Sequence, residues 1–370
     1  MDEESFLRIP LEKRKEEGCF RELKHYSGLI DFCSNDYLGM ATRGLLLRTP
    51  GDGDDARTRS SGSRGSRLLA GNYPEMEEAE NQIAGFHDAE SGLIFNSGYD
   101  ANLGLFSSVP RKGDTIFFDQ LIHASIRDGI RLSQAAHFSF RHNDMTDLGK
   151  KLHQGGSGRR FVAVESVYSM DGDLAPLKEI AEICTHTGTL LIVDEAHATG
   201  ILGPKGEGRV QELGLQTRCF ARMHTFSKAL GAHGAIILGS RILRDYLINF
   251  SRPFIYSTAL PPASLACIQN AYACFPGMQG EREHLQELIA AFQQNAPVGW
   301  LGGGMPIQIV RIPGNDRAKA AANTLCQGGF DVRAILHPTV PRGAERLRIV
   351  LHAYNTRGQV GDLITLLNNC

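Results

Sequence analysis

Three residues at fixed spacing carry the first chemical signal. Asp194 and His197 lie in Leu190-Leu191-Ile192-Val193-Asp194-Glu195-Ala196-His197, and Lys228 follows Asp194 by thirty-four positions, in Thr225-Phe226-Ser227-Lys228-Ala229-Leu230-Gly231. A Lys among small or apolar neighbours is set for burial, which lowers an amine pKa and frees it to react with a carbonyl. An Asp at the end of an apolar run offers a fixed negative charge. One cofactor uses both. Pyridoxal phosphate (PLP) needs a Lys for its Schiff base and an Asp to keep its pyridine nitrogen protonated, so that the ring can take up the electrons of a carbanion. Taken singly, most Lys are solvated and an Asp after a strand is often a helix cap. The three in this order favour the cofactor.

Other residues fit around such a ring. His197 and Ser169, the latter in Glu165-Ser166-Val167-Tyr168-Ser169-Met170-Asp171-Gly172-Asp173, could each reach the phenolic oxygen. A core His and a turn former before Asp171-Gly172 are the plainer readings. A phosphate needs backbone amides, best at a helix N-terminus. Asn96-Ser97-Gly98-Tyr99-Asp100-Ala101-Asn102 offers a strand, a Gly turn and then a helix, with Thr225 as a further hydroxyl. His123, after Asp119-Gln120-Leu121-Ile122, suits either stacking on the ring or a cap or core role. The Gly-x-x-x-x-Gly-Lys-Ser/Thr phosphate loop is absent. Ser61-Gly62-Ser63-Arg64-Gly65 lies in a polar loop, unlike a hydrolase nucleophile elbow. The His residues are not spaced as a metal set, so no metal is expected.

These residues need a scaffold that brings strand ends together. Short apolar runs at Gly92–Asn96, Thr115–Asp119, Phe161–Glu165, Leu190–Asp194, Met223–Phe226 and Ala235–Gly239 alternate with helical patterns. Each is too short for a buried helix and several end on a polar residue, as parallel strands do. The expectation is an α/β fold with a mostly parallel sheet, helices on both faces and ligands beyond the carboxyl ends of the strands. Before this region, residues 3–27 read as a solvated helix anchored by Leu11, Phe20 and Leu23, 29–33 as a short strand, 50–67 as a loop and 75–87 as a helix. After Tyr256-Ser257-Thr258 the pattern changes to α+β, with helices at 262–294, 317–327 and 360–367 and strands at 307–312, 331–335 and 347–351. The boundaries drawn are an N-terminal segment 1–45, a large domain 46–258 and a small C-terminal domain 259–370.

Composition narrows the class. The 370 residues are 42% hydrophobic and 22% charged with a formal net charge of −2, so no bulk charge favours nucleic acid or an anionic membrane. No apolar run approaches a membrane span. The start, Met1-Asp2-Glu3-Glu4, lacks the regions of a signal peptide. The eight Cys include no Cys-x-x-Cys pair and read as reduced cytoplasmic thiols.

Several motifs in order complete the reading: Ser34-Asn35-Asp36-Tyr37-Leu38-Gly39, Gly65-Ser66-Arg67-Leu68, Ser97-Gly98-Tyr99, His123-Ala124-Ser125, Ser169-Met170-Asp171-Gly172, Asp194-Glu195-Ala196-His197, Thr225-Phe226-Ser227-Lys228, Tyr256-Ser257-Thr258, and Pro338-Thr339-Val340-Pro341 with Arg346-Leu347-Arg348. On these the chain resembles the α-oxoamine synthases, PLP enzymes of the fold-type-I aminotransferase class, from about residue 20 to its end. The resemblance implies a large domain with a mostly parallel seven-stranded sheet and a smaller α+β C-terminal domain. It implies an acyltransferase that joins an amino acid to an acyl-CoA or acyl-carrier-protein thioester with loss of carbon dioxide, working in the cytoplasm as a homodimer with shared active sites. By position, Lys228 would hold PLP and act as the base at Cα, Asp194 would pair with the ring nitrogen, His123 would stack, and Ser169 and His197 would bond the phenolic oxygen. Gly98, Tyr99 and Thr225 would hold the phosphate, with Thr258 reaching the partner subunit's cofactor. Asn35 and Arg348 would take the amino acid carboxylate. Chain length and the stretch from His337 to Arg348 favour the biotin-pathway branch, which uses L-alanine and a pimeloyl thioester. There Thr339 and Arg21 would meet the acyl substrate. Glycine with acetyl-CoA, serine with a long acyl-CoA, a plain aminotransferase and a PLP-fold regulator are the competing readings. The chain departs from the family pattern at Arg48–Arg57 and at Gly71–Glu77, near the mouth of the site, which bears on acyl preference and leaves the PLP residues untouched.

Overall fold

Six apolar runs become strands of one sheet, and a seventh strand joins them at its edge. In the computed structural model, which describes residues 4–47 and 62–369, the strands are β1 (Ser91–Phe95), β2 (Thr115–Asp119), β3 (Ala136–Phe140), β4 (Arg160–Glu165), β5 (Leu190–Asp194), β6 (Ala221–Thr225) and β7 (Ala235–Gly239). Their order is β1-β7-β6-β5-β4-β2-β3. Only β7 runs against its neighbours; β6, β5, β4, β2 and β3 are parallel. Strands β1, β2, β5 and β6 are buried on both faces and show no alternation, as a helix-covered sheet requires. β3 carries no apolar run because it is an edge strand, largely exposed apart from Phe140, and so gave no signal in the sequence.

The sheet belongs to the larger of two compact units, Leu38–Ser169 with Leu174–Arg282. Here the motif residue Arg67 has a structural task. Its guanidinium donates to both carboxylate oxygens of Glu80, at 2.6 and 3.3 Å, and Arg244 and the Ile94 amide donate to the same carboxylate. The Arg67 and Glu80 side chains are 8% and 1% exposed. Removing one partner of a buried pair strands the other charge. Arg67→Met is therefore expected to lower stability by about 3 kcal/mol, the low end of the range because Arg244 remains. Urea unfolding checks this; a midpoint equal to wild type would show the pair to be dispensable.

The smaller unit comprises the described residues up to Tyr37, Met170–Asp173, and Glu283 onward. Its four-stranded antiparallel sheet runs Arg333–Ile335, Arg346–Val350, Ile307–Arg311, Trp300–Gly302. The N-terminal segment joins this unit because Ile30–Asp31 pairs in parallel with Phe330–Asp331, and because the Val350 and Ala353 amides donate to the Phe32 and Tyr37 carbonyls, both at 2.8 Å. The compact units thus divide at 37/38 and 282/283, whereas the sequence boundaries were 45/46 and 258/259. The first helix, Ser5–Glu16, buries no residue. Leu11 and Leu23, expected as anchors, are exposed, and Cys19 is the buried residue of this stretch. Gly18, at φ +63°, turns the chain out of the helix. The expected strand 331–335 is two short strands in different sheets. The departure at Arg48–Arg57 lies outside the described residues.

Candidate active site

Five strand ends in the larger unit deliver the side chains singled out in the sequence. β1 leads to Ser97 and Gly98, β2 to His123, β4 ends on Glu165, β5 ends on Asp194 and leads to His197, and β6 ends on Thr225 and leads to Lys228. All of them line one pocket. It lies where an α/β sheet presents ligands, beyond the carboxyl ends of its parallel strands.

Asp194 is held at both oxygens. Asn102 Nδ2 donates to Oδ2 at 2.8 Å, and the Ala196 amide donates to Oδ1 at 2.9 Å. The carboxylate is 5% exposed, so its direction is fixed. Asn102 also donates to Ser125 Oγ at 3.0 Å, and Ser125 Oγ lies 2.7 Å from His123 Nδ1. A continuous chain of hydrogen bonds therefore ties the carboxylate to the imidazole.

His123 fulfils the plain reading of a helix cap, and it also lines the pocket. It caps the helix Ala124–Leu132 by accepting the Ser125 amide at Nδ1, 3.2 Å away. In the neutral ring the proton is then on Nε2, which is left as a donor. The protein packed behind the ring lowers its pKa, as does the Lys228 ammonium, against the pull of Asp194. The imidazole is thus neutral at physiological pH.

Lys228 is half-buried, and Phe226, Ala229 and Leu230 around it are fully buried. Thr225 is buried, and its hydroxyl approaches Ser227 Oγ at 3.0 Å. The helix Gly98–Ser108 starts beside it: a methyl group placed on Gly98 would come 3.5 Å from Thr225 Oγ1. Ser97 caps the helix from Asp100 N, leaving the Gly98 and Tyr99 amides at the orphan first turn. The Tyr99 hydroxyl itself is turned to Asp128. Ser169 is buried, and its amide donates to the Glu165 carboxyl. Thr258 lies apart from this pocket. Its carbonyl accepts from Asn96 Nδ2 at 2.8 Å and it bridges to Ser66.

The remaining site candidates pair up within the smaller unit. Arg348 Nη2 donates to Asn35 Oδ1 at 3.0 Å, and the Tyr37 hydroxyl donates to the same oxygen at 3.3 Å. Arg346, two residues away on the same face of its strand, bonds Asp171 instead. Gly172 beside it is at φ +70°, with the Ile307 carbonyl where a Cβ would stand, so this turn accepts only Gly. Arg21 Nη2 donates to Thr339 Oγ1 at 3.2 Å, which places the two acyl-substrate candidates in direct contact.

Sequence reasoning gave no role to several lining residues, among them Asn102, Ser125 and Glu165. The first two stand in stretches already singled out, Asn96–Asn102 and His123–Ser125, but their helical positions gave no sign of their buried partners. Glu165 carried a usable signal, because it ends an apolar strand as Asp194 does.

The donor set fits PLP. A rigid buried carboxylate, a Lys, a neutral imidazole and a helix N-terminus with two hydroxyls surround one cavity, and one buried carboxyl oxygen of a lining residue, Glu165 Oε1, has no partner among the described residues. The family model for aminotransferases of classes I and II matches residues 27–367. The chain belongs to that family. Within it, an 8-amino-7-oxononanoate synthase of Emericella nidulans is 42% identical, over 97% of this chain and 93% of the relative. Among solved structures, a serine palmitoyltransferase from S. paucimobilis holding PLP with myriocin aligns with a TM-score of 0.87 at 26% identity, over 99% of this chain and 96% of that one. An 8-amino-7-oxononanoate synthase from Francisella tularensis aligns at 0.78 and 28%, over 92% and 97%. The large, mostly parallel sheet and the separate antiparallel sheet are the fold-type-I architecture of PLP enzymes, as the motifs implied. Among the described residues no helix is long and apolar enough to cross a membrane, and no group of His, Cys, Asp and Glu is placed to hold a metal.

Proposed function

We propose that this family member condenses L-alanine with a pimeloyl thioester, carried on CoA or a carrier protein, and releases carbon dioxide, the free thiol and 8-amino-7-oxononanoate, a step of biotin biosynthesis. The observation that carries the reading is the near-full-length likeness to an 8-amino-7-oxononanoate synthase in a chain whose Lys228, Asp194 and His123 share one pocket. PLP is the cofactor. When bound, it supplies the electron sink that lets the Cα of alanine attack a thioester carbonyl.

The chain's own residues do the rest. Asp194 keeps a proton on the ring nitrogen. Ser169 and His197 orient the phenolic oxygen, and the amides at Gly98 and Tyr99 with the Thr225 hydroxyl receive the phosphate. Arg348, steadied by Asn35, takes the alanine carboxylate before it leaves as carbon dioxide. Lys228 Nζ removes the Cα proton and later returns one. Its neighbour His123, neutral with Nε2–H exposed to the pocket, donates to the thioester oxygen as charge builds there. Arg21 and Thr339 meet the pimeloyl end.

The active form is a homodimer in which Thr258 reaches the partner's cofactor. Leu69 and Tyr256, near the Ser66–Thr258 bridge, are 85% and 72% exposed, an apolar surface suited to a second copy. The seven described Cys are all free, which suits the cytoplasm as the compartment.

The test is thiol release by the PLP-loaded protein with L-alanine, glycine and L-serine, each crossed with pimeloyl-, acetyl- and palmitoyl-CoA. The serine and palmitoyl arms are included because a serine palmitoyltransferase aligns so well in structure. Release confined to L-alanine with pimeloyl-CoA is expected. Release with a different pair would overturn the substrates and leave the family intact. A pimeloyl carrier protein in place of CoA separates the two thiol carriers.

A further inference from the structure

Glu165 has no part in the mechanism above, yet it lines the pocket. It ends β4, in register beside Asp194 at the end of β5, so the two carboxyl groups leave the sheet on the same face. Both line the cavity, and Glu165 is 3% exposed.

Their surroundings differ in one respect. Asp194 has a donor at each oxygen. Glu165 is held from one side by the backbone amides of His123 and Ser169, while Oε1 is buried without a partner. Two carboxylates side by side in a dry site do not both ionise. The proton belongs on the one with an unserved oxygen, Glu165.

The charged groups around Glu165 agree. Burial, and next the Asp194 charge, raise its pKa well above the usual carboxylate range; Lys228 and the two amides pull the other way and are outweighed. A protonated carboxyl in such a site is a hydrogen-bond donor. The described part of this chain offers Oε1 nothing to donate to.

We propose that Glu165 is a neutral carboxylic acid whose carboxyl group donates a hydrogen bond to bound PLP. This rests on PLP occupying the pocket and is independent of which substrates are joined.

Three measurements on the full chain test it. The infrared spectrum of the PLP-loaded protein at pH 7.5, minus that of Glu165→Gln, should contain a carboxylic-acid C=O band above the amide region. The PLP dissociation constant should stay within about twofold of wild type in Glu165→Gln, which keeps an N–H donor. In Glu165→Leu it should rise about three- to tenfold, the worth of one neutral hydrogen bond. Absence of the acid band overturns the proposal. So does the band together with wild-type PLP affinity in Glu165→Leu, since the proton would then not meet the cofactor. If Glu165→Leu fails to fold, Glu165→Ala replaces it, with the same rise expected. Thiol release enters none of these readouts, so a wrong substrate assignment leaves them unaffected.

Discussion

Thiol release from pimeloyl-CoA with L-alanine is expected to fall by about 10⁴-fold or more in Lys228→Ala. In the proposed mechanism one side chain performs two tasks, covalent attachment of the cofactor and proton transfer at Cα, and among the described residues no second amine lines the pocket. The loss should leave the fold intact. The turn carrying Lys228 is fixed by its backbone, with the Gly231 amide donating to the Lys228 carbonyl at 2.9 Å and that of Ala232 to the Phe226 carbonyl at 2.8 Å. Buried Phe226, Ala229 and Leu230 pack the turn whatever residue 228 carries. The unfolding temperature of the cofactor-free variant should therefore match wild type. Borohydride reduction should fix PLP to wild type and not to the variant. A variant that kept more than a hundredth of the activity, or was still labelled at another Lys, would move the attachment site and with it the assignment of this pocket.

The sheet and most of the residues that meet in the pocket were legible because both leave local marks. Leu190–Val193 is an apolar run that could only be a strand or a buried helix, and its polar end at Asp194 chose between them. Lys228 was marked by small neighbours, and it does sit half-buried among them. Features that depend on distant partners left no mark. Ile30–Asp31 is two residues long and its partner strand lies three hundred positions away, so the chain's first segment could not be assigned to the C-terminal unit by periodicity. β3 lies at an edge, where water replaces the core that would have demanded apolar side chains. Asn102 was invisible for a related reason. Its importance lies in what it touches, the Asp194 carboxylate ninety-two positions later, and an Asn on a helix looks the same whether it faces solvent or a buried charge. Glu165 shows the opposite case, a strand-end carboxyl open to the same reasoning as Asp194 that passed for a plain strand terminus.

Asp194→Asn is the second large effect, and its cause can be separated from simple damage. Asp194 accepts one donor at each oxygen, Asn102 Nδ2 at Oδ2 and the Ala196 amide at Oδ1. A carboxamide has one oxygen, so its NH₂ must face one of those donors, and the negative charge beside the ring nitrogen is gone. Losing the partner of a buried charge costs about 3–5 kcal/mol. That corresponds to a fall in turnover of roughly 10² to 5 × 10³-fold if the whole loss is felt in the transition state. Overall folding should change far less, because Asn102 keeps its bond to Ser125 and the strand Leu190–Asp194 keeps its ladder to Arg160–Glu165. Charge and geometry are told apart with Asp194→Ala, whose smaller side chain leaves room at the ring nitrogen. Supplying PLP methylated at that nitrogen gives the ring a permanent positive charge without any carboxylate. Turnover of Asp194→Ala should then recover by at least about tenfold over the same variant with ordinary PLP. Full activity in Asp194→Asn would mean that the ring nitrogen needs no counter-charge here. No recovery with the methylated cofactor would mean that Asp194 acts by aligning the ring rather than by holding its charge.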